Sequence, residues 1–239
     1  MSYLVMGLYD GGIASAIGEA INECGHEVIG TDRTLDVRSY EIVQKAIAQI
    51  IQVQEDSGDP IQGLVYCAGV NDLQWIGSMT KEDMESAANL FAVNSLGFLN
   101  VINALKAHVP QPLRDNPFSV VAISSDAATR PLRTSAAYCG SKAALDAIVR
   151  VSARELGRFN FRVNAVSPGM VAETGMSNQM DEVIPKLRGW SVAEMLSYER
   201  SQEVIPGRVR PDEVAEVVFN VLQGPLHLNG AIIPVNGGR

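Results

Sequence analysis

The sequence predicts an α/β fold, a doubly wound and mostly parallel sheet with helices on both faces, from three observations. Short apolar runs of strand length at residues 3–6, 28–30, 63–67, 119–123, 162–166 and 231–235 alternate with stretches of helical period. The 239 residues are 46% hydrophobic but only 6% aromatic, which suits buried parallel strands covered by aliphatic helices. No repeat, low-complexity tract or linker interrupts the pattern, so residues 1–239 read as a single domain.

The first run is followed by a turn containing Gly7, Gly11 and Gly12, and then by Ile13, Ala16, Ile17, Ala20 and Ile21 at helical spacing. Strand, glycine turn and helix in that order place backbone N–H groups at a helix start, where they can face a pyrophosphate. The second run ends at Thr31-Asp32. A carboxylate there can accept hydrogen bonds from both ribose hydroxyls of an adenine nucleotide and repels a 2′-phosphate, so NAD is favoured. Asp10 pushes the same way, whereas Arg33 can grip that phosphate, which keeps NADP open. The stretch between Asp32 and Asp36 is too short for a helical crossover, so the usual helix between the second and third strands is expected to be missing. Further on, Thr80 and Asp83 read as a capping box that opens a long helix running through Asn94 to about His108. An amide in mid-helix must bond a local carbonyl or serve another purpose. Pro234 lacks a ladder donor, which assigns the last strand to a sheet edge.

Tyr138 and Lys142 stand four residues apart, with Ser125 thirteen upstream of the tyrosine. On a helix the phenol and the ammonium project from one face, where the cation can lower the phenol's pKa. Moving a hydride to or from a carbon that bears oxygen also requires moving a proton at the oxygen. A tuned phenol supplies that proton, and a serine hydroxyl can hold the oxygen in place. A Tyr and a Lys at this spacing are, on their own, more often one buried ring and one solvated amine; the rest of the chain decides.

With these pieces in order, the chain resembles the short-chain dehydrogenase/reductase family over nearly its whole length, which implies a Rossmann-like fold. Asp36-Val37 resembles the segment that contacts the adenine, Ala68-Gly69 the end of a cofactor-lining strand, and Asn94 the structural and proton-relay asparagine. Ser125, Tyr138 and Lys142 match the catalytic positions, and Asn164 to Gly169 the segment along the nicotinamide, to which Pro168, Gly169, Val171 and Thr174 contribute. The resemblance implies that Tyr138 exchanges the proton, Ser125 binds the substrate oxygen, Lys142 lowers the tyrosine pKa and binds the nicotinamide ribose, and Asn94 holds a water leading to solvent. Three departures stand out: Ala14 replaces the third glycine of the turn, Tyr66 and Cys67 replace two asparagines, and the threonine after Pro168-Gly169 comes one place late. The implied activity is hydride transfer between NAD(H) and a secondary alcohol or ketone. Enoyl reduction, epimerisation, dehydration and a non-enzymatic nucleotide-binding subunit are the alternatives on the same scaffold.

In proteins that look like this one, residues 171–206 close the substrate pocket, and here that segment mixes Met176, Met180, Ile184, Trp190 and Met195 with polar and acidic residues, as expected of a helical lid. Asn71, Trp75 and Arg133 are candidate substrate contacts, and Arg130 or Arg133 can pair with a carboxylate or phosphate. The net charge of −8 argues against nucleic acids and anionic membranes as partners and leaves a small-molecule carbonyl or alcohol. Cys24, Cys67 and Cys139 are scattered and unpaired in pattern, and read as reduced core residues; neither they nor His26, His108 and His227 suggest a metal site. No leader-like segment and no membrane-length apolar run is apparent, so a cytoplasmic location is expected. The resemblance further implies a homodimer or homotetramer packed through the two long helices.

Overall fold

The computed structural model describes residues 1–8 and 11–238. Asp10, invoked above for cofactor choice, lies outside the described residues. Six strands, β1 (Ser2–Met6), β2 (Glu27–Thr31), β3 (Ile61–Tyr66), β4 (Phe118–Ile123), β5 (Phe161–Pro168) and β6 (Ile232–Val235), form one parallel sheet in the order β2-β1-β3-β4-β5-β6. The chain leaves β1 toward β2 and returns to β3 on the other side of β1, so the order reverses between β1 and β3. A crevice opens at such a point, beyond the carboxyl ends of the strands.

Alternation along the strands sorts side chains onto two faces. Leu4, Met6, Leu64, Tyr66, Val120 and Ala122 pack beneath α2 (Tyr40–Ser57), α4 (Gly97–His108) and α5 (Ala136–Leu156). Tyr3, Val5, Val65, Val121, Ile123 and Val166 pack against α1 (Gly12–Glu23) and α8 (Pro211–Leu222). Burying each aliphatic side chain fully contributes about 1.5–3 kcal/mol. Ile17, Ile21, Val214 and Val218 carry α1 and α8 onto this second face.

Contrary to the expectation that the helix between the second and third strands is missing, a helix does join them; the chain passes through residues 32–39 as turns and irregular backbone before it begins. The next strand is β3, and α2 makes the crossover to it, with Ser39 as its N-cap and Gly58 in the left-handed conformation at its C-cap. Pro234 lies in β6 at the sheet edge. Of the three cysteines, Cys139 is buried and Cys67 partly so, but Cys24 at the end of α1 is exposed and belongs to no core.

The capping box is present: Asp83 N–H donates to Thr80 Oγ1 (3.2 Å) and Thr80 N–H to Asp83 Oδ2 (2.7 Å), opening α3 (Lys81–Phe91). A π-helical turn at Ala92–Leu96 joins α3 to α4. The Val93 carbonyl accepts from the Tyr66 hydroxyl at 2.6 Å, so the tyrosine that replaces an asparagine satisfies a backbone group at the turn. Contrary to the sequence expectation, the continuous stretch Lys81–His108 is long and apolar enough in composition to cross a membrane. Half of its apolar window is buried within the protein, with Phe98, Val101 and Leu105 in the core.

Candidate active site

A cleft of about 540 Å³ opens at the carboxyl ends of β1, β3, β4 and β5. At one end it is lined by Gly7, Gly11, Gly12 and Ile13. Gly7 has φ 85°, and a Cβ there would stand 2.9 Å from Ala68 N and 3.2 Å from the Cys67 carbonyl carbon, so the two strand ends meet only because the position is glycine. Gly11 (φ 81°) is the N-cap of α1, no side chain caps that helix, and the space a Gly11 Cβ would enter is open. Unsatisfied amides facing open space suit a pyrophosphate, and the turn fits a dinucleotide. Ala14, in place of the third glycine, is 6% exposed and packs with the core cluster that contains Ile17.

Asp32 is exposed, and its Oδ1 accepts from Thr34 N–H (2.8 Å) and Thr34 Oγ1 (2.6 Å), which holds the carboxyl below its usual range. Asp36 is held low in the same way by the Arg38 guanidinium, which chelates it at 2.8 and 2.9 Å. Neither aspartate lines the cleft, nor do Val37 and Ala68; Arg33 does. Val37 is instead a buried core residue.

Gly69, Ser125, Tyr138 and Lys142 line the middle of the cleft. Ser125 N-caps a single 3₁₀ turn, Asp126–Ala128, at the end of β4, its Oγ accepting from Ala127 N–H at 3.2 Å, and its hydroxyl acts on the Tyr138 phenol to lower the pKa. Lys142, 4% exposed, donates from Nζ to the Ile123 carbonyl at 2.8 Å and stands 5.9 Å from the centre of the Tyr138 ring. Burial pushes the phenol up to about 12, opposed by the Ser125 hydrogen bond and reinforced by Asp126 and Cys139. Burial also pulls the Lys142 amine down to about 8, against the pull of Cys67 and Asp146. The expected lowering of the phenol by its lysine neighbour is therefore not what the protein alone provides: burial raises it, and Ser125, not Lys142, is what opposes the rise.

Asn94 sits in the π turn, fully buried, outside the cleft lining. Its Oδ1 accepts from Val70 N–H (2.8 Å), and its Nδ2 donates to Val70 O and Ser141 Oγ, both at 2.9 Å. The amide therefore ties the loop after β3 to the helix that bears Tyr138. Ser124 and Asp146 were not singled out from the sequence; the Ser124 hydroxyl donates to the buried Asp146 carboxylate, one turn beyond Lys142 on α5. Only their convergence in space reveals them.

Pro168, Gly169, Val171 and Thr174 border the cleft as well. Gly169 N–H donates to the Val235 carbonyl at 2.9 Å, and Thr174 caps α6 (Gly175–Arg188) while its side chain lies 3.7 Å from where a Gly12 Cβ would be. The outer wall is α6 with α7 (Val192–Ser201), seated on Leu73 through Ile184 and Met195. Asn71 lines the cleft, but Trp75 and Arg133 do not. Trp75 Nε1 donates to the Leu187 carbonyl at 3.0 Å, and the Arg133 carbonyl accepts from Arg188 Nη2 at 2.7 Å, so both positions hold α6 in place. Of the two arginines expected to border the substrate, Arg130 lines the cleft and Arg133 does not, and Arg188 joins Arg130 there.

The chain matches, over residues 14–239, a family model described as enoyl-(acyl carrier protein) reductase. It is 35% identical over 181 residues to L-xylulose reductase of Caenorhabditis elegans, covering 75% of this chain and 66% of that protein. It is 28% identical over 242 residues to the 3-oxoacyl-[acyl-carrier-protein] reductase MabA of Mycobacterium tuberculosis, covering 95% of this chain and 88% of that one. Among solved structures, an actinorhodin polyketide ketoreductase variant with NADPH superposes with a TM-score of 0.83 at 23% identity, covering 99% of this chain and 96% of that chain. Ligand-free aldohexose dehydrogenase of Thermoplasma acidophilum gives 0.80 at 22% identity, over 99% and 92%. These two likenesses bear on fold alone. The six-stranded parallel sheet, the glycine turn at its switch point and the matches in sequence agree: the chain belongs to the short-chain dehydrogenase/reductase family.

Proposed function

We propose that this oxidoreductase interconverts a secondary alcohol and a ketone with NAD(H), within a single domain and in the cytoplasm, as a homodimer or homotetramer. The observation that carries this reading is the convergence of Ser125, Tyr138 and Lys142 on the lining of one cleft that begins at the glycine turn. When bound, the nicotinamide supplies or takes up the hydride. Tyr138 donates its proton to the carbonyl oxygen in reduction and accepts the hydroxyl proton in oxidation, while Ser125 donates a hydrogen bond to the same oxygen. Lys142 binds the nicotinamide ribose and passes a proton to the phenol. Asn94 Oδ1 and Lys142 Nζ each stand 3.6 Å from where a Gly69 Cβ would be, and a water held between them would lead to solvent. A phenol pushed up to about 12 is protonated at neutral pH, which favours reduction there; oxidation is expected to accelerate as pH rises through the alkaline range.

NAD is the preferred cofactor because Asp32 at the end of β2 is ionised and repels a 2′-phosphate. NADP is the second reading, favoured by Arg33 in the cleft lining. Steady-state assays with both cofactors decide: Asp32→Ala is expected to narrow the preference for NADH, and Arg33→Ala to leave it in place. For the chemistry itself, Tyr138→Phe is expected to reduce kcat about 10²–10⁴-fold while NADH still binds by fluorescence titration. Unchanged turnover would refute the role of the phenol.

A further inference from the structure

The end of the cleft beneath α6 and α7 holds two polar atoms without partners. Asn71 Oδ1 and Arg188 Nε are buried and accept or donate no hydrogen bond. Both residues line the cleft. A buried donor or acceptor left unpaired costs about 1–3 kcal/mol, so two such side chains on the lining of one cleft mark a place where a ligand that turns them toward it completes the bonding.

Arg188 is also a cation without a counter-ion among the described residues. Asp181 and Glu199, the carboxylates on α6 and α7 that line the same space, are both chelated by Arg208, at 2.6 and 2.9 Å and at 2.7 and 2.8 Å. Arg188 binds only neutral groups: Nη2 donates to the Arg133 carbonyl (2.7 Å) and to Thr134 Oγ1 (3.4 Å), and the guanidinium lies 5.0 Å from the Trp190 ring centre. Those contacts fix its direction and leave the Nε edge for something else. The loop that receives it is itself strained, since Thr134 is a buried β-branched residue at φ 66°. That loop leads directly into α5, so the guanidinium is anchored one helical turn upstream of Tyr138.

We propose that Arg188 is the anion-binding residue of the substrate site, and that the substrate is a ketone or alcohol bearing a carboxylate or phosphate, with Asn71 Oδ1 accepting from a hydroxyl on the same molecule. This inference rests on the carbonyl chemistry proposed above. A planar guanidinium held 5.0 Å from an indole ring centre offers its remaining donors to a carboxylate or phosphate in a fixed plane, which gives orientation as well as charge.

The test compares straight-chain oxo acids with their methyl esters, and dihydroxyacetone phosphate with dihydroxyacetone, in the wild-type enzyme and in Arg188→Met and Arg188→Lys. The wild type is expected to favour the anionic member of at least one pair by ten-fold or more in kcat/KM. Which pair shows the preference tells carboxylate from phosphate. Arg188→Met is expected to abolish that preference through KM, with kcat/KM on the neutral member within three-fold of wild type; Arg188→Lys restores part of it. Equal rates on charged and neutral members, unaltered by Arg188→Met, would overturn the proposal while leaving the carbonyl chemistry standing. An equal loss on both members would assign Arg188 to holding α5 and would also overturn it. Should no carbonyl compound be reduced, the preceding reading fails, and the anion site is then judged by whether malonate or inorganic phosphate raises the Tm of the wild type but not of Arg188→Met.

Discussion

At Tyr138 and Lys142 burial sets the protonation states, and it does so in opposite senses. Lys142, pulled down to about 8 from its ordinary 10.5, holds its proton more weakly folded than unfolded. Between those two values the unfolded chain binds more protons, so the contribution of this residue to stability rises with pH; below about 8 its full penalty applies. Tyr138, pushed up to about 12 from 10, holds its proton more tightly when folded, and its contribution falls as pH climbs through that higher window. Lys142→Met is therefore expected to be more stable than wild type at neutral pH, by no more than about 3 kcal/mol, with the gap closing toward pH 10. Urea unfolding at pH 7 and pH 10 measures the difference, and a gap independent of pH would count against the buried ammonium. That Ser125, Tyr138 and Lys142 meet in one cleft was legible in the sequence because helical period places the last two on one face and the order of motifs along the chain singles out all three. Their pKa values were not, because desolvation depends on strands and helices far apart in the chain. Arg188 escaped notice for the same reason: Arg133 lies in the stretch next to the tyrosine, but it does not line the cleft, and its carbonyl instead accepts from Arg188.

Among the elements, the junction of α3 and α4 shows how a strand residue shapes a helix. The Tyr66 hydroxyl bonds the Val93 carbonyl within the π turn, and a Cβ on Gly97 would stand 2.6 Å from that hydroxyl and 2.8 Å from Val37 Cγ2. Gly97→Ala is expected to lower stability by about 1–3 kcal/mol, since the hydroxyl is pinned and the valine is packed in the core. Combined with Tyr66→Phe, which removes the clashing oxygen, the two losses are expected to sum to less than their separate values in denaturant unfolding. Strict additivity would show that the close approach is not what fixes glycine there. The capping box at Thr80 could be read from four residues, because it is local. The π turn could not, because its stabilising partners, Tyr66 on β3 and Val70 and Ser141 around Asn94, come from three other places in the chain. The crossover helix α2 was likewise obscured by the short interval after Asp32, where the chain passes through turns before the helix begins.

For the molecule as a whole, sheet order follows from rules the sequence carries openly: short alternating segments, a proline that confines β6 to an edge, and a glycine turn that marks the first strand. The arrangement of residues 171–206 is less legible, since it hangs on the side-chain geometry of Arg208. That guanidinium is 18% exposed and chelates Asp181 on α6 and Glu199 on α7 at once, and its own acidity is suppressed further by both carboxylates. We propose that these two helices form the substrate lid. Arg208→Met is expected to raise KM several-fold while leaving the sheet's thermal unfolding nearly unchanged, measured by kinetics beside calorimetry. Arg208 acts as a rivet through two plates, beside the apolar contacts they share. Amide hydrogen exchange along α6 and α7 should thus proceed at a common rate in the native protein, and each helix should acquire a tempo of its own once the rivet is drawn.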